Sequence, residues 1–169
     1  MSPEEVDLGI RPATPADRWL LWVWANDPVV RASSFVTDPI PWSDHVVWFN
    51  ARLDDTECHI YVINQRDGTP VGQVRFEPSA DRPHLEIDVA IALACDARGH
   101  GLGAHVLRLA CEEFRRERAS PATLVAHVRV QNTASVRTFE RAGFRLGGRV
   151  QVSGVDTFRF ESPCSFEMS

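Results

Sequence analysis

Three observations predict an α+β fold for this chain. Polar and apolar residues alternate from 84 to 93, which is the two-residue period of a strand with one apolar face. Residues 101–118 instead repeat at the helical period, and their apolar stripe consists of Leu102, Val106, Leu109, Ala110 and Phe114. Strand-like and helix-like segments are interleaved along the chain, which indicates a partly antiparallel sheet with parallel crossovers.

The first part of the chain is predicted to form one short strand and three helices. Pro12 disfavours a helical conformation at Arg11, so the segment around them is extended. Thr14, Pro15 and Asp17 are typical of a helix start, because they suit the cap, the first turn and the positive end of the helix dipole. The predicted elements are a strand at 9–13, a helix at 14–25, a short helix or turn at 29–35 and a helix at 43–53.

The remainder is predicted to alternate between strands and helices. Residues 66–69 are typical of a hairpin turn, and residues 81–83 form a second turn. Gly143 suits the position that follows the last residue of a helix. The predicted strands are 59–63, 70–77, 84–93, 123–130, 144–152 and 155–160, and the predicted helices are 101–118 and 132–142. Residues 162–169 are expected to form a loose tail.

Composition excludes several classes of protein. The chain has 169 residues, of which 44% are hydrophobic and 24% charged, so we expect one globular domain spanning 1–169. A net charge of −5 is unfavourable for binding nucleic acid, although one anionic cofactor or a cationic amine could still bind. The four cysteines form no C-x-x-C pair and the six histidines do not cluster, so no metal site is predicted.

Nothing in the sequence indicates a membrane protein or a secreted one. The longest apolar run, 20–25, is far shorter than the ~20 residues needed to cross a bilayer. The N-terminus is acidic and polar, unlike a secretory signal. We therefore expect a reduced, cytoplasmic protein.

A glycine-rich segment carries the strongest chemical signal. Residues 98–104, Arg98-Gly99-His100-Gly101-Leu102-Gly103-Ala104, lie between the alternating strand and the amphipathic helix. Glycines allow a tight turn and a close approach to a ligand, and the N-terminus of the following helix suits a pyrophosphate. Glycine spacing alone is equally compatible with a turn that binds nothing. The segment lacks the Gly-Lys-Ser/Thr of a P-loop, and no acid ends the next strand as a dinucleotide fingerprint requires.

Two segments together resemble the GNAT superfamily of N-acetyltransferases. Residues 98–103 resemble its acetyl-CoA signature, Gln/Arg-x-x-Gly-x-Gly/Ala. Residues 132–144 resemble its second signature, Asn-x-x-Ala/Ser-x-x-x-Tyr/Phe-x-x-x-Gly-Phe. The two occur in the expected order with a strand between them, and residues 10–13 look like the usual first strand. The resemblance covers a core of about 9–162.

The resemblance implies a fold and a cofactor. The sheet would be mostly antiparallel, with six to seven strands splayed at the centre and about four helices on both faces. Acetyl-CoA would bind with its pyrophosphate on backbone N–H groups of 99–104, and its pantetheine would lie along Ile91 and Leu93 and contact Asn132. The implied cofactor-binding residues are Ile91, Leu93, Arg98, Gly99, His100, Gly101, Leu102, Gly103, Ala104, Asn132 and Phe139, and no metal is implied.

The resemblance also implies direct attack of an amine on the thioester. A backbone N–H near Ala92 or Leu93 would stabilise the oxyanion. Glu86, ahead of Asp88 and then His84, is the candidate base, although these side chains could equally lie on a solvated strand face.

Two positions depart from the family pattern. Phe139 stands where the family usually has Tyr and cannot donate a proton, so we expect Phe139 to pack and water to protonate the thiolate. Cys95 stands where the family often has Pro. We expect a loop or core residue there rather than a nucleophile.

The acceptor is predicted from the N-terminal helices. Residues 24–31, 34–35, 42–49 and 72–76 resemble the GNAT enzymes that acetylate 4-amino sugars on nucleotide carriers, as in pseudaminic acid biosynthesis. Arg31 or Arg75 could bind a diphosphate, while most of the tryptophans are expected in the core. The candidate substrate residues are Asn26, Arg31, Phe35 and His45.

Three functions remain open at this level. The first is acetylation of a small-molecule amine, the second is acetylation of a protein N-terminus or lysine, and the third is non-catalytic sensing of acyl-CoA. No nucleic-acid or membrane partner is expected. A homodimer through the last strands is common in the family.

Overall fold

The computed structural model describes residues 6–164 and contains one continuous sheet with helices on both faces. The strands are Leu8–Pro12 (β1), His59–Gln65 (β2), Pro70–Pro78 (β3), Glu86–Leu93 (β4), Ala122–Arg129 (β5), Arg145–Val152 (β6) and Val155–Cys164 (β7). The helices are Arg18–Ala25 (α1), Pro28–Ser33 (α2), Trp42–Asp54 (α3), Leu102–Glu117 (α4) and Thr133–Arg141 (α5).

The sheet is mixed and mostly antiparallel, which confirms the predicted fold class. Its seven strands follow the order β1-β2-β3-β4-β5-β7-β6. Every neighbouring pair is antiparallel except β4 and β5, which α4 connects as a parallel crossover. The described residues contain five helices, one more than the four expected, because the segment after α1 forms the separate short helix α2.

The two central strands separate along their length. β4 pairs with β5 only through Glu86–Thr123, Ile87–Leu124 and Asp88–Val125. Both strands continue past these pairs, β4 to Leu93 and β5 to Arg129, while β4 remains paired with β3 and β5 with β7. A cleft therefore opens between β4 and β5, as the expected splay requires.

Two apolar clusters hold the helices against opposite faces of the sheet. Ile60 and Tyr61 are neighbours in β2, and their side chains point to opposite faces. Tyr61 belongs to the main cluster, where the α4 side chains Val106, Leu107, Ala110 and Phe114 pack. Ile60 belongs to the smaller cluster, which Leu21 and Trp24 of α1 and Phe49 of α3 complete. No helix within residues 6–164 combines the length and apolar character needed to cross a bilayer.

Two predicted boundaries are wrong. β4 begins at Glu86, because Leu85 and Glu86 each donate a backbone hydrogen bond to Arg82 O in the preceding turn. The expected tail is partly strand, because Ser162 and Pro163 extend β7 and pair with β5. The rest of that tail, 165–169, and the N-terminal residues 1–5 lie outside the described residues.

Candidate active site

The cleft between β4 and β5 has a volume of about 870 Å³. Its long walls are the diverging strands themselves. The segment 98–104 and α5 close one end, while β3 and the segment 29–36 border the other. These segments are far apart in the sequence, and they border one cleft because β4 and β5 separate.

The main chain of β4 presents hydrogen-bonding groups to this cleft. Ser79 N donates to Glu86 O at 2.9 Å, and Ala94 N donates to Val71 O at 2.9 Å, so even-numbered residues of β4 face β3. An antiparallel ladder alternates, so the odd-numbered residues direct their N–H and C=O groups toward β5. β5 no longer pairs with β4 beyond Asp88, and the N–H groups of Ile91 and Leu93 therefore point into the cleft. The expected donor at Ala92 is wrong, because its N–H belongs to the β3 ladder.

The segment 98–104 forms an open cradle at the start of α4. Gly99 and Gly101 have positive φ values of 77° and 72°, which L side chains rarely adopt. A Cβ built on Gly99 meets nothing within 4 Å. Gly101 is the N-cap of α4 and offers no capping side chain, so the first N–H groups of this helix are available to a ligand. Arg137 and Arg141 line the same end of the cleft.

Gly103 has a packing role within this segment. A Cβ at this position would lie 2.8 Å from Thr138 Oγ1, so the glycine permits the close approach of α4 to α5. Gly103 and Ala104 are buried and line the cleft. The segment therefore combines ligand-facing glycines with one glycine that packs two helices.

Arg98 is committed to protein partners. Its guanidinium donates to Leu93 O at 3.1 and 3.3 Å, and its Nη1 lies 3.0 Å from Asp27 Oδ1. The Asp27 carboxylate also accepts from Val29 N at 2.9 Å at the start of α2. Arg98 thus connects the end of β4 to α2. It also lines the cleft.

The other expected cofactor residues differ in how far they reach the cleft. Asn132 lines it and also caps α5, where its Oδ1 accepts from Ser135 N at 3.2 Å. Leu102 and Phe139 touch the cleft but are otherwise buried, and Phe139 packs against Phe144 and Phe160. His100 is exposed and does not line the cleft, which corrects the expectation that it contacts the cofactor.

Glu86 lies outside the cleft, and this corrects its assignment as the leading candidate base. Its carboxylate accepts from Arg159 at 2.9 Å and from Arg82 at 3.3 Å. Burial opposes ionisation of Glu86, but these two hydrogen bonds outweigh it and lower the pKa of the carboxyl. An ion-paired carboxylate of lowered pKa is a poor proton acceptor. His84, the third candidate, is exposed and also lies outside the cleft.

Asp88 differs from Glu86 in each of these respects. It lines the cleft at the last paired position of β4, and its Oδ1 is buried with no hydrogen-bond partner among residues 6–164. Burial raises the pKa of Asp88, the charges of Glu77 and Glu86 raise it further, and His127 and Arg159 oppose the shift. A raised pKa and a free oxygen suit a general base.

His127 is a cleft residue that the sequence interpretation missed. It lies on β5, two residues beyond the partner of Asp88, and it lines the cleft. The available signal was a weak one: polar residues Thr123, His127 and Arg129 alternate with apolar ones along β5. A polar residue on a central strand becomes informative only once the strand is known to border the splay.

The expected acceptor residues divide into two groups. Phe35 lines the cleft. Asn26 does not, because its side chain bonds both Ile40 N, at 2.7 Å, and Ile40 O, at 3.1 Å. His45 does not either, because it is 3% exposed and its Nε2 lies 2.9 Å from Arg18 O. Both assignments are corrected to structural roles.

Arg31 lines the cleft, but its guanidinium supports the main chain around it. It donates to Ala25 O at 2.6 Å, to Val36 O at 2.9 Å and to Ser34 Oγ at 3.0 Å. These bonds hold the segment that follows α2. Arg31 is therefore poorly placed to bind a diphosphate, which corrects that expectation.

A second arginine, at the end of β5, also binds α2. Arg129, at the end of β5, donates to Ala32 O at 2.9 Å and to Ser34 O at 3.1 Å. Together with the Arg98–Asp27 pair, it connects α2 to both diverging strands. The segment 29–36 consequently borders the cleft in a defined position.

No metal-binding arrangement accompanies these groups. Across the described range 6–164, no three His, Cys, Asp or Glu side chains are grouped so that they could hold a metal ion.

The chain is similar to a known family of proteins. Residues 7–145 match a family model described as an acetyltransferase (GNAT) domain. Among curated protein sequences, none matches the chain significantly.

Several solved structures share the fold. One is a spermidine N-acetyltransferase from Vibrio cholerae in complex with CoA and spermine, 17% identical with a TM-score of 0.77, covering 92% of this chain and 95% of that one. Another, from Salmonella typhimurium, is described as an acetyltransferase with its cofactor acetyl-CoA, 21% identical with a TM-score of 0.77 and 96% of both chains covered. A ribosomal-protein-alanine N-acetyltransferase from Brucella melitensis is 25% identical with a TM-score of 0.75, covering 92% of this chain and 99% of that one.

Proposed function

Because the chain belongs to the acetyltransferase (GNAT) domain family, we propose that it transfers an acetyl group from acetyl-CoA directly to a primary amine of a small molecule. The observation that carries this proposal is the position of Asp88. Its carboxylate, of raised pKa, lies where β4 and β5 begin to separate, and main-chain N–H groups further along β4 face the same cleft. This supports Asp88 as the proton acceptor and a β4 N–H as the oxyanion donor.

The residues at the α4 end of the cleft fit acetyl-CoA. Gly99 leaves space beside the main chain, and the first N–H groups of α4 and the guanidinium groups of Arg137 and Arg141 suit a pyrophosphate. The N–H group of Leu93 and the side chain of Asn132 would hold the pantetheine arm. Acetyl-CoA, when bound, supplies the acyl group as a thioester.

The chain's own groups account for the remaining steps. Asp88 takes a proton from the ammonium form of the acceptor, which leaves a neutral amine nitrogen able to attack. The new C–N bond forms as the C–S bond breaks, while the N–H group of Ile91, the nearer of the two to Asp88, stabilises negative charge on the acyl oxygen. The nitrogen gives up its second proton to water as the amide forms. Because Phe139 has no proton to donate, water returns a proton to the departing thiolate.

The acceptor we propose to test first is a nucleotide-linked amino sugar. Phe35 offers an aromatic wall for a sugar or base, and Arg75 lines the same end of the cleft. A protein N-terminus is the second candidate, and its support is the relative that is named a ribosomal-protein-alanine N-acetyltransferase. The segment 29–36 borders the cleft at this end, which favours the small molecule.

Release of free thiol from acetyl-CoA tests the proposal. The amine panel contains nucleotide-linked amino sugars, a peptide with N-terminal alanine and spermidine. We expect thiol release that depends on a small-molecule amine and on Asp88. Tight binding of acetyl-CoA without amine-dependent thiol release from any acceptor would overturn the proposal.

A further inference from the structure

We propose that the acceptor carries an anionic group, a carboxylate or a phosphoryl group, close to its amine, and that Arg75 binds this anion. The inference rests on the proposed function, because it concerns the acceptor end of the same cleft. It narrows the acceptors to amines of mixed charge and excludes polyamines.

Register places Arg75 beside the candidate base. Arg75 pairs with Ala90 across β3 and β4, and the next pair of that face is Glu77 with Asp88. The side chains of Arg75 and Asp88 therefore point to the same face of the sheet as diagonal neighbours, roughly 7–8 Å apart. An ammonium at Asp88 and an anion at Arg75 can then belong to one compact molecule.

The guanidinium of Arg75 is oriented and still able to bind. Its Nε lies 3.1 Å from Glu77 Oε1, and its Cζ lies over the Trp48 ring, 4.9 Å from the ring centroid. No hydrogen bond within residues 6–164 involves its two terminal nitrogens. Two fixed contacts thus leave a pair of donors in the wall of the cleft, an arrangement suited to a bidentate anion.

Three other arginines that line the cleft are committed to groups of the protein. Arg31 and Arg129 hold the main chain of α2 and the residues after it, and Arg98 holds Leu93 O and Asp27. Arg137 and Arg141 lie at the opposite end, beside the start of α4. Among the described residues, Arg75 is consequently the arginine that the acceptor end can offer to a ligand.

Charge balance argues against a polyamine. Glu77 lies 2.6 Å from Arg52 Nε and 3.1 Å from Arg75 Nε, so two guanidinium groups neutralise it. Asp88 is then the carboxylate left for the ammonium that will be acetylated. A second ammonium would meet the Arg75 guanidinium, which is unfavourable for like charges in a partly buried cleft.

Matched pairs of acceptors test this inference. Each pair shares its primary amine and differs in the anion: an α-amino acid with its amide, and glucosamine 6-phosphate with glucosamine, with spermidine as a third kind of acceptor. We expect thiol release with a kcat/KM about 10- to 100-fold higher for the anionic member of at least one pair, the effect of a charge-assisted hydrogen bond. The pair that shows the preference distinguishes a carboxylate from a phosphoryl source.

Two variants assign the preference to Arg75. Arg75→Gln should abolish it, and Arg75→Lys should restore part of it. Arg52→Gln is the matched control, since Arg52 also pairs with Glu77 but does not line the cleft, and it should keep the preference.

The possible outcomes separate the two proposals. Equal rates on both members of every pair, a preference for spermidine, or a preference that survives in Arg75→Gln overturns the inference and leaves the acetyltransferase intact. Absence of amine-dependent thiol release from every acceptor overturns the proposed function and the inference with it. The preference of the unmodified protein is itself decisive, so the test does not depend on the variants folding.

Discussion

The two ends of the cleft are built from different groups. At the α4 end the groups that face a ligand are mostly main-chain N–H donors, supplied by one continuous segment, 98–104. At the acceptor end they are side chains from separate strands and a loop: Phe35, Arg75, Asp88 and His127. Ligand binding by main-chain groups depends on the backbone conformation. Ligand binding by side chains depends on which of their charges are neutralised by neighbouring residues.

The sharpest contrast is between two carboxylates two residues apart on one face of β4, Asp88 at the acceptor end and Glu86 outside the cleft. Asp88→Asn should lower kcat/KM about 100- to 10,000-fold, because it removes the proton acceptor. The loss should appear in thiol-release assays at saturating acetyl-CoA. An Asp88→Asn variant of normal activity would contradict the assignment and shift the base to another residue.

The matched control is Glu86→Gln, which should act mainly on stability. It weakens the pairing with Arg159 and Arg82, and we expect a loss of about 1–3 kcal/mol in the free energy of unfolding. Activity per folded molecule should change little. Denaturant unfolding measured beside the rate assay separates the two effects, and a Glu86→Gln variant that is stable but inactive would reverse the contrast.

Because its pKa is raised, Asp88 should also make the stability of the protein depend on pH. Burial raises this pKa, so the group binds its proton more tightly in the folded protein than in the unfolded one. Asp88 therefore favours folding at low pH and opposes it as the pH rises through the folded pKa. We expect Asp88→Asn to raise Tm at pH 7 and to lose this gain near pH ~4.

The rate should follow the same ionisation. kcat/KM should rise with pH along an acid limb that lies above the ordinary carboxyl range of about 4, because the base must be deprotonated. A limb at the ordinary carboxyl position would contradict the raised pKa.

The α4 end should respond to backbone shape instead. Gly101→Asp places a side chain at a φ of 72° and a negative charge beside the proposed pyrophosphate, so the Kd for acetyl-CoA should rise about tenfold or more. Calorimetric titration measures this change. An unchanged Kd would argue against the cradle.

Gly103→Ala tests a different role in the same segment, the packing of α4 against α5. Its new Cβ would meet Thr138 Oγ1, so we expect a loss of roughly 1–3 kcal/mol in stability and a smaller effect on acetyl-CoA affinity. Adding Thr138→Ala should recover much of that stability. Failure of the second substitution to do so would mean that the helix contact is not the cause.

Asn132 should give the smallest effect, because it has both a local and a ligand-facing role. Asn132→Ala removes the cap of α5 and should lower stability by about 1 kcal/mol, whereas Asn132→Ser should keep the cap. Both lack the carboxamide and should weaken acetyl-CoA binding about 2- to 10-fold. Equal affinity in Asn132→Ser and the unmodified protein would limit the residue to capping.

Local chemistry in the sequence was enough to predict the secondary structure and the α4 end of the cleft. Period-2 alternation predicted the long strand, and Gly143 predicted the end of α5 within two residues of Arg141. The errors came from contacts between distant residues. Leu85 looks like a strand residue by alternation, but its N–H bonds to Arg82 in a turn.

By itself the sequence determined the order of the elements and the glycine cradle, because both follow from interactions between residues that are neighbours in the chain. Only the tertiary structure decided which polar groups are free to react. Glu86 and Asp88 share one face of one strand, yet Arg159 of β7 neutralises the first while burial in the cleft raises the pKa of the second. Ionisation depends on the burial and charge around a group, and strand register and the splay of β4 from β5 set both.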